Sequence, residues 1–158
     1  MINLPNHSYC TTEIPKEVKV GAYSSIAENV YFHSNHDNHL CARNKKCVYT
    51  TNWDQGEEKG QTIVGSDVWI GREARIMYGV HIGDGAIVGA YTVVSKDVPA
   101  FAVVVGNPGE VVRYRFDTDQ MKKLLKYKWW KMDDDKVEKL KPFMKDIDVF
   151  LLKCEEYD

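Results

Sequence analysis

Cysteine is sparse in this chain and never paired in motif: Cys10, Cys41, Cys47 and Cys154 are scattered, with no Cys-x-x-Cys among them. That pattern favours reduced thiols over a disulfide framework. No apolar run approaches the roughly 20 residues that span a bilayer, and MINLPNHSYC lacks the charged and apolar regions of a signal peptide. The expected location is therefore the cytoplasm. Charge of one sign is also missing. The 21 Lys and Arg face 23 Asp and Glu, a formal net charge of −2, so the overall field recruits neither nucleic acid nor an anionic membrane. Any phosphate site has to be local. What is present is enough for a folded core: 158 residues, of which 44% are hydrophobic.

The organising stretch runs from Val64 to Pro99 and repeats itself. Val or Ile falls every six residues, at Val64, Ile70, Ile76, Ile82, Val88 and Val94. Four residues after each comes a second inward candidate: Val68, Ala74, Val80, Ala86, Thr92 and Val98. Gly65, Gly71, Gly83 and Gly89 follow the first position, where a corner needs backbone freedom or the close approach of a neighbouring turn. A period of six fits neither the 3.6 of a helix nor the alternation of a simple strand. It signals a parallel β-helix, in which each hexapeptide gives one short strand and one corner and stacked coils bury what a single unit cannot.

A weaker beat precedes it, at Ile14, Val20, Ile26 and Phe32, with Val18, Ser24, Val30 and His36 at the second position. Between Asp37 and Gln61 the beat is lost, which predicts an insertion projecting from one face of the coil. After Pro99, the Gly-Asn-Pro-Gly at Gly106–Gly109 predicts a turn away from the last coil. Asp117 or Thr118 then caps a helix with Met121, Leu124 and Leu125 on its apolar face. A second helix is expected from Asp134 toward Leu140, ending near Pro142, and a third through Ile147, Phe150 and Leu151. The domain reading is a β-helix over residues 1–116, with the insertion at 37–61, followed by a helical extension over 117–158.

VGSDVWIGREARIMYGVHIGDGAIVGAYTVVSKDVP, with VVVGNPGEVVRYRF after it, resembles the hexapeptide-repeat acyltransferases, and most of all the CatB-type xenobiotic acetyltransferases. The likeness runs from about Lys19 to the C terminus and is poorest in the insertion. It implies a left-handed, three-sided coil, against the usual right-handed rule for parallel crossovers, and a homotrimer with active sites between subunits. It also implies acetyl-CoA as co-substrate, with no metal. KWWKM and IDVFL are similar to the family's C-terminal helical tail, and the inserted loop would reach over the adjacent subunit and help to form the acceptor pocket.

His36 is the candidate general base. An acceptor hydroxyl or amine must lose its proton as it attacks a thioester, and neutral imidazole suits that task at cellular pH. Asn35-His36 matches the family's Asn-His, with Asp37 after it, and Trp69 resembles the tryptophan that walls the acceptor pocket. The amide of Arg72, the residue after Trp-Ile-Gly, would face the thioester oxyanion. Gly89 and Ala90 stand where pantetheine approaches in the resembling enzymes, and Gly71 is counted with the same coenzyme site. Ser95-Lys96 matches the family's Thr-Lys, and Arg113 follows its Asn-Pro turn; Lys96 and Arg113 would meet the coenzyme's phosphates. No cysteine has a nucleophile's setting, so direct transfer without an acyl-enzyme is expected.

Two other classes stay open. His33, His36 and His39 lie three apart with Cys41 beyond, ligand types that suit zinc, and hexapeptide coils include γ-class carbonic anhydrases. Residues three apart in extended chain point to different sides, which counts against convergence. His81, at the end of its repeat, is expected outward at a corner. A non-catalytic trimeric scaffold would bind neither coenzyme nor metal. Among acceptors, sugars or sugar nucleotides are preferred, with an antibiotic or other xenobiotic hydroxyl as the alternative.

Overall fold

The computed structural model describes residues 5, 7–33 and 60–157, and the chain divides into two compact units, Met1–Val112 and Arg113–Asp158. The division falls inside a strand, Glu110–Tyr114, rather than after Phe116. Asn35, His36, Asp37, the other residues of the insertion up to 59, and Cys41 and Cys47 lie outside the described residues.

The first unit is built from two-residue strands joined by tight corners: β1 (Tyr9–Cys10), β2 (Lys19–Val20), β3 (Ser25–Ile26), β4 (Tyr31–Phe32), β5 (Ile63–Val64), β6 (Trp69–Ile70), β7 (Arg75–Ile76), β8 (His81–Ile82), β9 (Ile87–Val88) and β10 (Val93–Val94), then the longer β11 (Ala102–Val105) and β12 (Glu110–Tyr114). They form three sheets, ordered β1-β3-β6-β9-β11-β12, β4-β7-β10 and β2-β5-β8. The chain visits each sheet in turn and returns to it three repeats later, pairing in parallel: Trp69 with Ile87, Arg75 with Val93, Ile63 with His81. The same pairing bridges the insertion, with Ser25 beside Trp69 and Tyr31 beside Arg75.

The register explains the six-residue beat. In each two-residue strand the second residue points in, so like stacks on like: Ile26, Ile70 and Val88 in one ladder, Phe32, Ile76 and Val94 in another. All six first positions from Val64 to Val94 are buried, and so are the six second positions from Val68 to Val98. In the earlier coils, Ile14, Val18, Ser24, Ile26, Val30 and Phe32 are buried and Val20 is half-buried. Each full burial contributes about 1.5–3 kcal/mol, so stacking and not local propensity holds two-residue strands in place.

The glycines after the first position serve close approach, not backbone freedom. A Cβ on Gly71 would stand 2.6 Å from the Ala90 nitrogen and 2.9 Å from the Gly89 carbonyl carbon. The left-handed backbone falls two residues further on, at Asp67, Glu73 and Tyr91 (φ 56–59°), with Gly79 and Gly85 filling the same place in the intervening repeats. These non-glycine residues, with Tyr23, Asn29 and Phe101 in the flanking coils (φ 57–60°), thus carry a conformation costing about 1–2 kcal/mol each. The coil closes because neighbouring backbones fit.

Among the described residues, three buried hydroxyls line the core. Ser24 donates to the Gly65 carbonyl at 2.9 Å, and Thr62 accepts from the Gly79 amide at 2.9 Å. Thr92 is fully buried, and its hydroxyl meets no hydrogen-bonding partner among the described residues. An unsatisfied buried hydroxyl is costly, and valine keeps its shape. Thr92→Val is therefore expected to stabilise by about 1 kcal/mol, raising Tm by about 2–4 °C in a thermal melt. A fall in Tm would show that the hydroxyl has a partner.

In the second unit the three expected helices form: α1 (Thr118–Tyr127), α2 (Asp134–Leu140) and α3 (Ile147–Glu156), with 3-10 turns at Trp129–Lys131 and Lys141–Phe143. Asp117 accepts from the Asp119 and Gln120 amides while the Gln120 side chain accepts from the Asp117 amide, a complete capping box. Asp133 and Asp146 cap the next two helices. Leu124 is buried as expected, but Leu125 is 39% exposed and lies off the covered face. Lys123 binds Glu155 at 3.0 Å, which holds its ammonium above its ordinary value.

Candidate active site

In every repeat the residue before the inward one points outward from the strand, which sets Ile63, Trp69, Arg75, His81, Ile87 and Val93 on the outer faces. Trp69 is 55% exposed, flanked in register by Ser25 and Ile87. The corner after it carries Gly71 and Arg72; the corner of the next coil carries Gly89 and Ala90. The two are tied together, the Gly71 amide donating to Val88 at 2.8 Å and the Tyr91 amide to the Arg72 carbonyl at 2.9 Å.

Gly71 is buried and its amide is used within the coil, so its part is to seat Arg72 rather than to touch a ligand. Gly89 likewise lets coils approach, since a Cβ there would meet Val105 at 2.9 Å. The amide of Arg72 donates to no described residue. Its side chain is exposed and ion-paired with Glu28, at the same corner of the preceding described coil; the Glu73 amide donates to the Glu28 carbonyl at 3.2 Å. The guanidinium is thus drawn along the coil axis. Ala90 is exposed and adds little bulk to the wall below Arg72.

Trp69, Arg72, Gly89 and Ala90 therefore form one continuous wall. Ser95 and Lys96 are exposed at the following corner, beyond β10, where the Lys96 ammonium lies 3.9 Å from Glu110. That contact is exposed and weak, yet it supplies Lys96 with a carboxylate neighbour. Arg113 belongs to the second unit, is exposed, and donates to the Tyr114 carbonyl at 3.4 Å. Asn35, His36 and Asp37 cannot be placed against this wall, because they lie outside the described residues; the described chain reaches His33, whose amide donates to Ile76 at 2.8 Å.

The histidines fall in separate places. His33 closes β4, its ring edge-on to Tyr31 with centroids 4.7 Å apart. His36 and His39 are outside the described residues. His81 sits on a strand rather than at a corner, its amide donating to Asp97 at 2.8 Å, and it borders an open cleft of about 470 Å³ with Ile63, Asp84 and Pro99. No group of three His, Cys, Asp or Glu suited to a metal occurs among the described residues. The outward row also brings out Tyr31 and Arg75, which motif reading passed over. The signal was in the repeat itself: each outward residue precedes an inward Val, Ile or Phe.

Residues 61–96 match the bacterial transferase hexapeptide family, six repeats. The chain is 46% identical over 85 residues to a chloramphenicol acetyltransferase of Agrobacterium fabrum, a match covering 54% of this chain and 41% of that protein. It is 35% identical over 131 residues to a probable macrolide acetyltransferase of Lysinibacillus sphaericus, covering 75% of this chain and 71% of the relative. The chain spans less than half the length of the chloramphenicol acetyltransferases it matches, 41% in Agrobacterium fabrum and 48% in Escherichia coli. In fold it is similar to a serine acetyltransferase from Brucella abortus solved with coenzyme A, with a TM-score of 0.50 at 19% identity, covering 70% of this chain and 39% of that one. No helix among the described residues is long and apolar enough to cross a membrane. By its repeats, its parallel three-sheet core and the extent of its match to the macrolide relative, the chain belongs to the hexapeptide-repeat acyltransferases of the CatB type.

Proposed function

We propose that this chain moves the acetyl group of acetyl-CoA directly to a hydroxyl or amine of a small acceptor, with His36 as general base. The coil is left-handed in this reading, and the molecule works in the cytoplasm as a homotrimer whose active sites lie between subunits. The 37–61 insertion of one subunit reaches over its neighbour. The observation that carries the proposal is the wall of Trp69, Arg72, Gly89 and Ala90, which presents a corner amide with no acceptor among the described residues beside an exposed aromatic.

The chemistry follows from those groups. The imidazole of His36 accepts the acceptor's proton as its oxygen or nitrogen attacks the thioester carbonyl. Charge then collects on the carbonyl oxygen, where the Arg72 amide donates to it. When the carbon–sulfur bond breaks, the proton held by the imidazolium passes to the departing thiolate, and no covalent acyl-enzyme forms. Trp69 walls the acceptor, Asn35 and Asp37 flank the base, and Ala90 leaves room for the pantetheine arm. Lys96 and Arg113 meet the coenzyme's phosphates, with Ser95 beside them.

A sugar or sugar nucleotide is the preferred acceptor. The relatives named chloramphenicol and macrolide acetyltransferases favour a second reading, in which the acceptor is the hydroxyl of an antibiotic or other xenobiotic. Release of free thiol from acetyl-CoA, measured against a panel of sugars, chloramphenicol and a macrolide, tests both. Lys96→Ala and Arg113→Ala are each expected to raise KM for acetyl-CoA roughly 5-fold with little change in kcat, the loss of one exposed charge-assisted contact. An unaltered KM in both variants would remove them from the donor site. A melting point raised by zinc and not by acetyl-CoA would instead favour a metal enzyme.

A further inference from the structure

The sheet β4-β7-β10 lies between two corners, the one bearing Arg72 and Ala90 and the one bearing Ser95 and Lys96. Its outward row is Tyr31, Arg75 and Val93, neighbours in register. The Arg75 guanidinium stands over the Tyr31 ring, 5.5 Å from the centroid, and the ring of His33 meets Tyr31 edge-on. No carboxylate pairs with Arg75 among the described residues. Glu73, the acid nearest to it in sequence, accepts from the Asn29 side chain at 2.8 Å, and Glu28, on the preceding described coil, is paired with Arg72.

Arginine held by an aromatic face keeps the donors of its planar fork available, and that fork fits a carboxylate or phosphate through two parallel hydrogen bonds. On a chain with more acids than bases, a guanidinium partnered among the described residues by an aromatic ring alone is suited to an anion from outside. The alternative ion-pair arrangement is used by its immediate neighbour, Arg72.

We infer that Arg75, stacked on Tyr31, forms an anion subsite on the face flanked by the acetyl-donor wall, and that the acceptor is a sugar carrying a phosphate or carboxylate. This rests on the acetyltransferase reading for its purpose but not for its measurement. The shared chemistry, an oxyanion on a guanidinium, could come from the acceptor or from the coenzyme's own phosphates, and we assign it to the acceptor.

Isothermal titration of the full chain with glucose, glucose 1-phosphate and glucuronate tests the subsite without turnover. Wild type is expected to bind at least one of the two anions 10-fold or more tightly than glucose. Arg75→Gln should abolish that preference, leaving affinity for acetyl-CoA within 2-fold and Tm nearly unchanged, because the residue is exposed. Arg75→Lys, a point charge without the fork, should retain only part of it, and Tyr31→Leu should weaken it by freeing the guanidinium. Equal binding of all three ligands by wild type, or an anion preference that survives Arg75→Gln, overturns the proposal. Loss of acetyl-CoA binding in Arg75→Gln with anionic sugar binding intact gives the site to the coenzyme and overturns it too. Failure of the wild type to bind acetyl-CoA sinks the acetyltransferase reading instead, and leaves the sugar titrations to decide the subsite by themselves.

Discussion

Replacing His36 with alanine is expected to lower kcat by 100-fold or more while leaving the affinity for acetyl-CoA nearly unchanged. The magnitude is that of a general base: positioned proton transfer contributes about 10²–10⁴-fold, and 100-fold is about 2.7 kcal/mol of barrier. The separation of the two effects follows from the roles proposed for the groups. Coenzyme contacts are proposed on the Arg72–Ala90 wall and at Lys96 and Arg113, whereas His36 is proposed to act on the acceptor's proton. In wild type, kcat/KM should fall toward acid pH, since only the neutral ring can accept a proton. The variant should lose that limb. Wild-type turnover in His36→Ala, measured by thiol release under saturating acetyl-CoA, would end the assignment.

Gly71→Ala should lower stability by about 3 kcal/mol, a fall in Tm of about 6–12 °C. The new methyl would point at the backbone of the next coil, at 2.6 Å from the Ala90 nitrogen and 3.0 Å from its Cα. Backbone cannot swing aside as a long side chain can. Gly60→Ala is the matched control, because nothing lies within 4 Å of the position its Cβ would take; it should move Tm by no more than about a degree or two. The same methyl would displace Ala90, so Gly71→Ala should also disturb acetyl-CoA binding in whatever fraction stays folded. If both alanine variants melt alike, the coils are looser than their spacing indicates.

The inward positions could be read directly from the sequence. Val64 to Val94 and Val68 to Val98 are buried because a strict period leaves only one way to gather them, and the first helical cap, Asp117, announced itself by residue type, whereas Asp133 and Asp146 emerged only with the structure. The chirality of the winding was not readable, since spacing along a line is the same for either hand. The corner conformation was hidden for a different reason. The left-handed residues include Asp67, Glu73 and Tyr91, which no composition rule marks, while the visible glycines turned out to govern the distance between coils. Of the proposed site, Trp69 and Arg72 came from one motif and Gly89 and Ala90 from another, and the structure sets their corners on adjacent coils. Arg75 and Tyr31 were missed because they sit far apart in sequence and meet only through the pairing of β4 with β7.

That pairing changes how a long molecule would perceive this surface. Anything laid lengthwise along the stack touches Tyr31, then Arg75, then Val93, stepping about 4.8 Å each time and skipping every residue in between. Chemical text is therefore written vertically here, across windings, so one exchange at an outward site rewrites a single letter of it and leaves the scaffold's own instructions untouched.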